Sequence, residues 1–359
     1  MPKKRAFDKA LFAVVVVLLG LGVVMVYSAS APDQVSRGSL PPFVKQVLAA
    51  ALGLVAMVAA MHIDYLQLRR PAVLYGIVFG VLGVLVAVLF ASPVNNARRW
   101  FFVGGVSVQP SELAKIAVVL FVAYQLDKKW DRVNQPAVLV PCISFAIFCV
   151  VLILLQPDFG TAGLILAVAG LMLFYGGLAW RYALFASLIA LPALWFAVVR
   201  VPYRLQRVRT FLNPELDPLG AGFQPLQSMI AVGSGGVQGL GLGESVQKLH
   251  FLPFAESDFI YSILSEELGL LGSIGVLLLF LTFFWRGVRA GNRAPEGFGR
   301  FLAWGLSSMI LVQALINISV AVALLPTTGM PLPLISYGGS SLVATLLACG
   351  LVLNVSQHG

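Results

Sequence analysis

Long runs of apolar residues limit what this chain can fold into. A helix that crosses the roughly 30 Å hydrocarbon core of a bilayer needs about 20 such residues, and runs of this length recur along the sequence. Only 11% of the 359 residues are charged, less than half the usual share in a soluble domain. The sequence therefore predicts an all-α, polytopic membrane protein with about ten transmembrane helices. The predicted spans are residues 9–28, 43–62, 71–91, 111–126, 137–156, 159–177, 180–199, 259–285, 299–324 and 334–355.

The distribution of Lys and Arg predicts the orientation of these spans. The first apolar run is longer than the core of a secretory signal peptide, so it is predicted to be an uncleaved span. With the N-terminus in the cytoplasm, fourteen basic residues fall in cytoplasmic segments and four in the short external loops. Because basic residues accumulate on the cytoplasmic side of membranes, both termini are predicted to be cytoplasmic.

One external loop before the eighth span, residues 200–258, is too long for a simple connection. The glycines between residues 233 and 243 would let its backbone turn tightly or approach a ligand closely. No soluble domain is visible, so residues 1–359 are predicted to form one integral membrane domain. A short helix in the membrane interface is predicted from four apolar residues that would share one face: Phe223, Leu226, Met229 and Ile230.

Two acidic residues and a lysine lie on the predicted external side. Glu112 and Lys115 are three residues apart, so they meet on one face of the fourth span. They are either a self-neutralising pair or part of a polar site facing a cavity, because ionisable residues within spans are costly. Asp158 stands between two spans and is either the N-cap of the second of them or a site residue.

Arginines lie on this side as well. Arg98 and Arg99 precede the fourth span, and Arg204 and Arg207 belong to the long loop. They would contact either lipid headgroups or a pyrophosphate, whose oxygens a guanidinium group binds well.

Three carboxylates mark the start of the eighth span. Asp258 stands just before this span or at its first residue, where an N-cap is the simplest structural role. Glu266 is eight residues further on, about 12 Å along the axis of the same helical face, with Glu267 beside it. Glu266 is predicted to structure the bundle by pairing with a basic or hydroxyl group on another helix.

Several classes of function find no support in the sequence. It contains no Walker, dinucleotide-binding, HExxH or GxSxG motif. The net charge of +9 is spread over loops between spans, so no nucleic-acid partner is predicted. The three histidines and three cysteines lack metal-ligand spacing. No cofactor is predicted with certainty, and a divalent cation is left open.

Five stretches of the chain resemble the SEDS family (shape, elongation, division and sporulation) and occur in that family's order. They are "NNARRWFFVGGVSVQPSELAKIA", "LLQPDFGTA", "YRLQRVRTFLNPELDPLGAGFQPLQSMIAVGSGGVQGLGLG", "LPFAESDFIYSILSEELG" and "LPTTGMPLPLISYGGSS". Asn96, Leu240 and Tyr261 depart from the family's usual residues without removing a charged candidate. The short N-terminal segment favours the elongation branch, RodA, over the division branch, FtsW.

The resemblance implies a peptidoglycan glycosyltransferase that polymerises lipid II at the outer face of the bacterial cytoplasmic membrane. It implies a class B penicillin-binding protein as partner, besides membrane lipids. The family's catalytic aspartate falls on Asp258, and its functional Glu, Lys and "QPD" aspartate fall on Glu112, Lys115 and Asp158. Asp258 would then accept the proton of an acceptor sugar hydroxyl. The residues that would bind or neutralise pyrophosphate are Arg98, Arg99, Lys115, Arg204 and Arg207.

Two other functions suit the same polar residues. A lipid II flippase would also hold an anionic headgroup inside a bundle, but it would need polar sites reachable from both sides of the membrane. A non-catalytic scaffold for a penicillin-binding protein would not need Asp258. The charges without a topological explanation gather on the external side, which favours the enzyme.

Overall fold

The computed structural model describes residues 6–31, 40–93, 97–103, 106–182, 184–185, 188, 192, 195, 199–200 and 202–358. Its elements before residue 180 are α1 (Lys9–Ala29), α2 (Pro42–His62), α3 (Pro71–Val88), β1 (Phe101–Val103), β2 (Val106–Val108), α4 (Pro110–Lys128), α5 (Pro136–Leu154) and α6 (Phe159–Tyr175). Those after residue 200 are α7 (Pro202–Leu212), α8 (Phe223–Ser234), α9 (Ile260–Arg293), α10 (Gly297–Ala321) and α11 (Gly339–Ser356). Short 3₁₀ turns cover Tyr65–Arg69, Trp130–Arg132 and Pro214–Leu216.

The prediction of an all-α polytopic membrane protein is confirmed. Within the described part of the chain, seven helices are long and apolar enough to cross a membrane: α1, α2, α3, α5, α9, α10 and α11. The predicted fourth and sixth spans coincide with α4, which carries a buried charged pair, and with the 17-residue apolar α6. The predicted seventh span, 180–199, lies mostly outside the described residues.

Two helices form the centre of the bundle. α4 and α10 are buried along most of their length and pack against each other, with α6 contacting both. Around them, α2 packs along α11, α9 along α10, and α1 along α9. Small residues allow the closest of these contacts: a Cβ atom on Gly350 of α11 would lie 2.5 Å from the carbonyl oxygen of Met57 in α2.

The bundle has two polar ends. The Asp258 end carries the starts of α4, α6 and α9, the β1–β2 hairpin, and the loop after α10. At the opposite end, Arg69 bridges Asp127 and Glu296 at N–O distances of 2.8 and 3.1 Å, and Arg286 pairs with Asp8. Asp8 also caps α1, and the Arg286 guanidinium and two backbone amides hold the pKa of its carboxyl below the ordinary value despite partial burial.

The long loop is largely structured. It contains α7 and the predicted short helix, which is α8. Met229 and Ile230 are exposed on α8, and Ser228 is buried against the bundle, where its hydroxyl lies 2.6 Å from that of Ser262 in α9. The loop therefore folds back onto the helices that carry the Asp258 end.

The glycine-rich segment of the loop was predicted either to turn tightly or to approach a ligand. It turns tightly and approaches a helix. α9 is broken at Gly269, whose φ of 66° and ψ of −164° are not helical. The broken turn exchanges main-chain hydrogen bonds with residues 236–241, among them Leu240 N to the Glu266 carbonyl at 3.0 Å and Leu270 N to the Gly236 carbonyl at 2.9 Å. A side chain on Gly239 or Gly269 would collide with the backbone of the opposing segment.

Candidate active site

Asp258 lies in a tight turn directly before α9. The amides of Ser257 and Asp258 both donate to the Phe254 carbonyl at 3.1 Å, and Phe254 has a φ of 58°, a conformation that an L-residue adopts at a cost. The N-cap position of α9 is Phe259, and the helix start has no side-chain cap. Capping therefore does not account for Asp258.

The Asp258 side chain borders a small cavity with mixed lining. The cavity has a volume of about 100 Å³, and Phe254, Asp258 and Phe259 form one wall. The loop after α10 forms the facing wall, from Thr327 to Met330, and α7 and α8 contribute Arg207 and Gln224. Arg207 is held in place because its Nη1 donates to the Thr327 carbonyl at 2.9 Å.

Burial and neighbouring charges set the pKa of Asp258. Removal of its carboxylate from water is the largest effect and raises the pKa from 3.8 to about 6. Glu256 and Asp158 act in the same direction, while Arg207 and Arg99 oppose it. A pKa near neutrality suits a group that accepts and releases protons in a reaction.

Asp158 and Arg99 belong to the same electrostatic environment. Asp158 is the N-cap of α6, as the first alternative predicted, because it accepts from the Thr161 amide at 3.1 Å and hydroxyl at 2.9 Å. It also accepts from Gln109 Nε2 at 3.2 Å. Arg99 donates to the carbonyls of Gln156, at 2.7 Å, and Pro157. Asp158 thus combines a structural role with a charge that acts on Asp258.

Glu112 and Lys115 form the predicted pair inside α4. Glu112 Oε2 lies 2.8 Å from Lys115 Nζ, and both side chains are only 4% exposed. Lys115 Nζ also donates to Gln313 Oε1 of α10 at 2.7 Å. The Gln313 Nε2 donates in turn to the Pro331 carbonyl at 2.9 Å. The pair is therefore connected to the loop that forms one wall of the cavity.

The carboxylates of Glu266 and Glu267 face away from the cavity and are used structurally. Glu266 accepts from the Ser245 hydroxyl at 2.5 Å and from the Val246 amide at 3.1 Å. The partner is a hydroxyl group, as predicted, but it lies in the long loop and not on another helix. Glu267 forms a buried ion pair with Lys248 at 3.0 Å and accepts from Ser28 of α1 at 2.6 Å. These contacts tie the long loop and α1 to the broken turn of α9.

Of the two remaining predicted site residues, Arg98 is not brought to the cavity. Arg98 is exposed and donates to the Leu89 carbonyl, at the end of α3, at 2.8 Å. The Arg204 side chain lies outside the described part of the structure. Among the described residues, no three His, Cys, Asp or Glu side chains are grouped to hold a metal ion, so no residue is assigned to a divalent cation.

Sequence reasoning missed two amide side chains of α10, Gln313 and Asn317. Asn317 Nδ2 donates to the Asp258 carbonyl at 2.9 Å and the Met330 carbonyl at 2.8 Å. A signal was present, because polar residues are uncommon in an otherwise apolar span, and spacing of four residues places these two on one helical face. Their partners, however, are backbone carbonyls that no local pattern identifies.

An apolar groove reaches the same end of the bundle. It has a volume of about 630 Å³ and runs between α2, α3, α4 and α11. Pro110 and Leu113 of α4 line it, and Gln109, the residue before Pro110, contacts Asp158. A long hydrocarbon chain in this groove would have its end near the charged residues.

Comparisons with known proteins agree with this architecture. Stage V sporulation protein E of Bacillus subtilis is 41% identical, covering 99% of this chain and 98% of that protein. The probable peptidoglycan glycosyltransferase FtsW of Geobacter metallireducens is 43% identical, with coverage of 98% and 95%.

Solved structures are similar over the same length. A chain of a peptidoglycan synthase complex superposes with a TM-score of 0.81 at 34% identity, covering 98% of each chain. The Rod shape determining protein RodA of Thermus thermophilus superposes with a TM-score of 0.70 at 28% identity, covering 98% of this chain and 97% of that one. The model of the FtsW, RodA and SpoVE proteins, described as "Cell cycle protein", matches residues 9–359. The chain therefore belongs to the FtsW/RodA/SpoVE family, the SEDS family that its motifs resemble.

Proposed function

We propose that this protein is a peptidoglycan glycosyltransferase that polymerises lipid II into glycan strands at the outer face of the bacterial cytoplasmic membrane. The observation that carries the proposal is the Asp258 carboxylate in a small cavity of mixed lining beside Arg207. Relatives of full length at 41–43% identity, one named as a probable peptidoglycan glycosyltransferase, support it.

The reaction joins an acceptor sugar hydroxyl to the anomeric carbon of a donor sugar. Asp258 accepts the hydroxyl proton as the new C–O bond forms, which requires the two oxygens to approach within roughly 2.6–3.2 Å. The bond from the anomeric carbon to the pyrophosphate oxygen breaks, and polyprenyl pyrophosphate leaves with the electron pair. Direct attack inverts the configuration of the anomeric carbon, by analogy with inverting glycosidases.

Cationic groups offset the charge that develops on the leaving group. Arg207 borders the cavity, and Arg99 acts electrostatically on Asp258, so these two are assigned to pyrophosphate. Glu112, Lys115 and Asp158 support the walls of the site through the contacts described above. Arg98 and Arg204 stay candidates on sequence grounds alone.

The apolar groove suits the polyprenyl chain of such a substrate. Its lining is almost wholly hydrocarbon, and it ends at Pro110, next to the polar residues around Asp158. A lipid held there by its tail would present its headgroup to the charged end of the bundle, which reduces the entropy that the reaction must overcome.

The proposed membrane arrangement follows the basic residues. Both termini lie in the cytoplasm and the Asp258 end faces outward, as the distribution of Lys and Arg predicts. A class B penicillin-binding protein is the proposed partner, and a similar solved chain belongs to a complex that coordinates polymerisation with crosslinking.

For the cellular process, elongation is the assignment proposed from the sequence, with division as the second candidate. The second candidate is favoured by the FtsW name of a relative at 43% identity, against 28% for a RodA of solved structure. A relative at 41% identity is named as a sporulation protein. Complementation of strains depleted of RodA or of FtsW separates the two: rescue of rod shape supports elongation, and rescue of septation supports division.

Polymerisation of labelled lipid II by the purified protein tests the function. The assay is run with and without a cognate class B penicillin-binding protein that lacks glycosyl transfer of its own, and we expect long glycan products when the partner is present. If no product forms with the partner present and the protein translocates lipid II across liposome membranes, the function is that of a lipid II flippase and not of a glycosyltransferase.

A further inference from the structure

Two buried amide side chains cross the centre of the bundle toward the Asp258 cavity. Gln313 and Asn317 lie one turn apart on α10, and their side chains are only 2% and 1% exposed. An amide buried without hydrogen bonds is unfavourable, so the contacts of these two side chains account for their place in an otherwise apolar span.

Asn317 joins the two walls of the cavity. Its NH₂ group donates to the Asp258 carbonyl at 2.9 Å and to the Met330 carbonyl at 2.8 Å. Both partners are acceptors, so the hydrogen bonds themselves identify which end of the amide faces them. One side chain thus sets the distance between the turn that carries Asp258 and the loop that carries Thr327.

The other end of the Asn317 amide is left without a partner. Its Oδ1 is buried and accepts no hydrogen bond within the described part of the chain. Both hydrogen bonds of this side chain therefore go to the two cavity walls.

Gln313 extends the same connection to the ion pair of α4. Its Oε1 accepts from Lys115 Nζ at 2.7 Å and its Nε2 donates to the Pro331 carbonyl at 2.9 Å. Pro331 follows Met330, so both amides of α10 hold the same loop. That loop also accepts the hydrogen bond of Arg207 through Thr327.

We infer that Asn317 and Gln313 are positioning residues of the transfer reaction, which hold the loop 327–331 against the Asp258 turn so that the carboxylate and the Arg207 guanidinium face one cavity. The inference rests on the proposed function. Neither residue lines the cavity, so both act through the backbone carbonyls that they bind. A displacement of about 1 Å at a reacting centre lowers a rate by up to about 100-fold.

A second buried asparagine provides the control. Asn354 of α11 is fully buried, and its NH₂ group donates to the carbonyls of Ala60, Met61 and Ile63 at 2.8, 2.9 and 2.5 Å. It makes the same kind of contact, from a helix to a backbone turn, at the opposite end of the bundle. A purely structural role predicts equal consequences for Asn317→Leu and Asn354→Leu.

The experiment measures the rate of lipid II polymerisation against pH for wild type, Asn317→Leu, Gln313→Leu and Asn354→Leu, each with its partner protein and normalised to folded protein. For Asn317→Leu we expect kcat to fall about 10- to 100-fold with a smaller change in KM, because the side chain does not touch substrate. The kcat of Gln313→Leu should also fall, by a smaller factor. Asn354→Leu should lower the melting temperature and leave the rate per folded molecule and its pH midpoint unchanged.

The pH midpoint separates positioning from general destabilisation. Asp258 faces Glu256, Asp158, Arg207 and Arg99, and burial is the largest influence on its pKa. In Asn317→Leu the two walls should move apart and let water reach the Asp258 carboxylate, so the pH midpoint of the rate should fall by about one pH unit. In Asn354→Leu this midpoint should stay constant.

Each outcome has a distinct meaning. A wild-type rate and midpoint in Asn317→Leu would overturn the inference while leaving the proposed function intact, whereas an inactive wild-type protein would overturn the function itself. If Asn317→Leu does not fold, Asn317→Ser is measured instead. Its hydroxyl is too short to reach both carbonyls, so wild-type kinetics there would equally overturn the inference.

Discussion

Asp258 and the pair Glu266–Glu267 lie on one short stretch of chain, yet their surroundings differ completely. The two glutamates receive hydrogen bonds from Ser245, Val246 and Ser28 and an ion pair from Lys248. The Asp258 carboxylate instead borders a cavity and interacts electrostatically with charges of both signs. A buried carboxylate whose partners come from its own chain holds the fold together, and one that faces a cavity is available to a substrate.

The largest effect is expected from Asp258→Asn. Without a proton acceptor, the polymerisation rate should fall about 10²- to 10⁴-fold, while the folded protein should become slightly more stable because a buried charge is lost. The measurement is glycan formation from labelled lipid II together with a melting curve. Glu215→Gln, an exposed carboxylate of the same loop, is the control. A wild-type rate in Asp258→Asn would remove the distinction between the two carboxylate environments.

Glu267→Gln should affect stability and spare catalysis. Removing one partner of a buried ion pair leaves Lys248 uncompensated, which typically costs about 3–5 kcal/mol. The melting temperature in detergent should fall, and the activity per folded molecule should stay near that of wild type. The double variant Lys248→Met, Glu267→Leu should recover much of the loss, because no unpaired charge remains buried. Loss of activity without loss of stability would instead place Glu267 in the reaction.

Arg207→Gln should lower the rate about 100-fold, the usual cost of removing one group that stabilises developing negative charge. Arg209→Gln on the same helix is the matched control. Arg209 is exposed, so its replacement should change the rate by no more than about twofold. Equal losses in the two variants would indicate a general attraction for anionic lipids and no specific contact of Arg207 with pyrophosphate.

The smallest effect concerns pH. A base must be deprotonated, so the rate should rise with pH and level off above the Asp258 pKa of about 6. Below that value it should fall roughly tenfold per unit. Because the folded-state pKa lies above the ordinary 3.8, Asp258 binds its proton more tightly in the folded protein. Stability should therefore decrease as pH rises from about 4 to 6, and this decrease should be absent in Asp258→Asn. A flat rate between pH 5 and 8 would contradict the assignment of Asp258 as base.

Local patterns predicted what depends on local geometry. The apolar runs predicted most of the long helices, and the spacing of Glu112 and Lys115 predicted their contact. The position of Asp158 between two spans made a cap one of its two predicted roles. Each of these depends on residues close in sequence or on the bilayer thickness. The same reasoning offered either tight turns or close approach to a ligand for the glycines of residues 233–243. Four of them have positive φ, and the close approach is to α9.

Contacts between distant segments were beyond local patterns. Asn317 binds carbonyls at positions 258 and 330, and a carbonyl has no sequence signature. Arg98 and Arg99 are adjacent and chemically identical, but one turns to Leu89 and the other to Gln156 and Pro157. Where the ends of α3 and α5 lie in the fold decides between them, because these ends supply the carbonyl partners.

The contact between the broken turn of α9 and the glycine-rich segment has a consequence for which substitutions the chain tolerates. It is made by main-chain groups, so most side chains there can change without loss of a hydrogen bond. Gly235, Gly239 and Gly269 are exceptions, because a Cβ atom on any of them would overlap the opposing backbone. In a mutational scan, these three positions should accept glycine alone, while exposed neighbours such as Val237, Leu240 and Leu270 should vary widely among apolar residues.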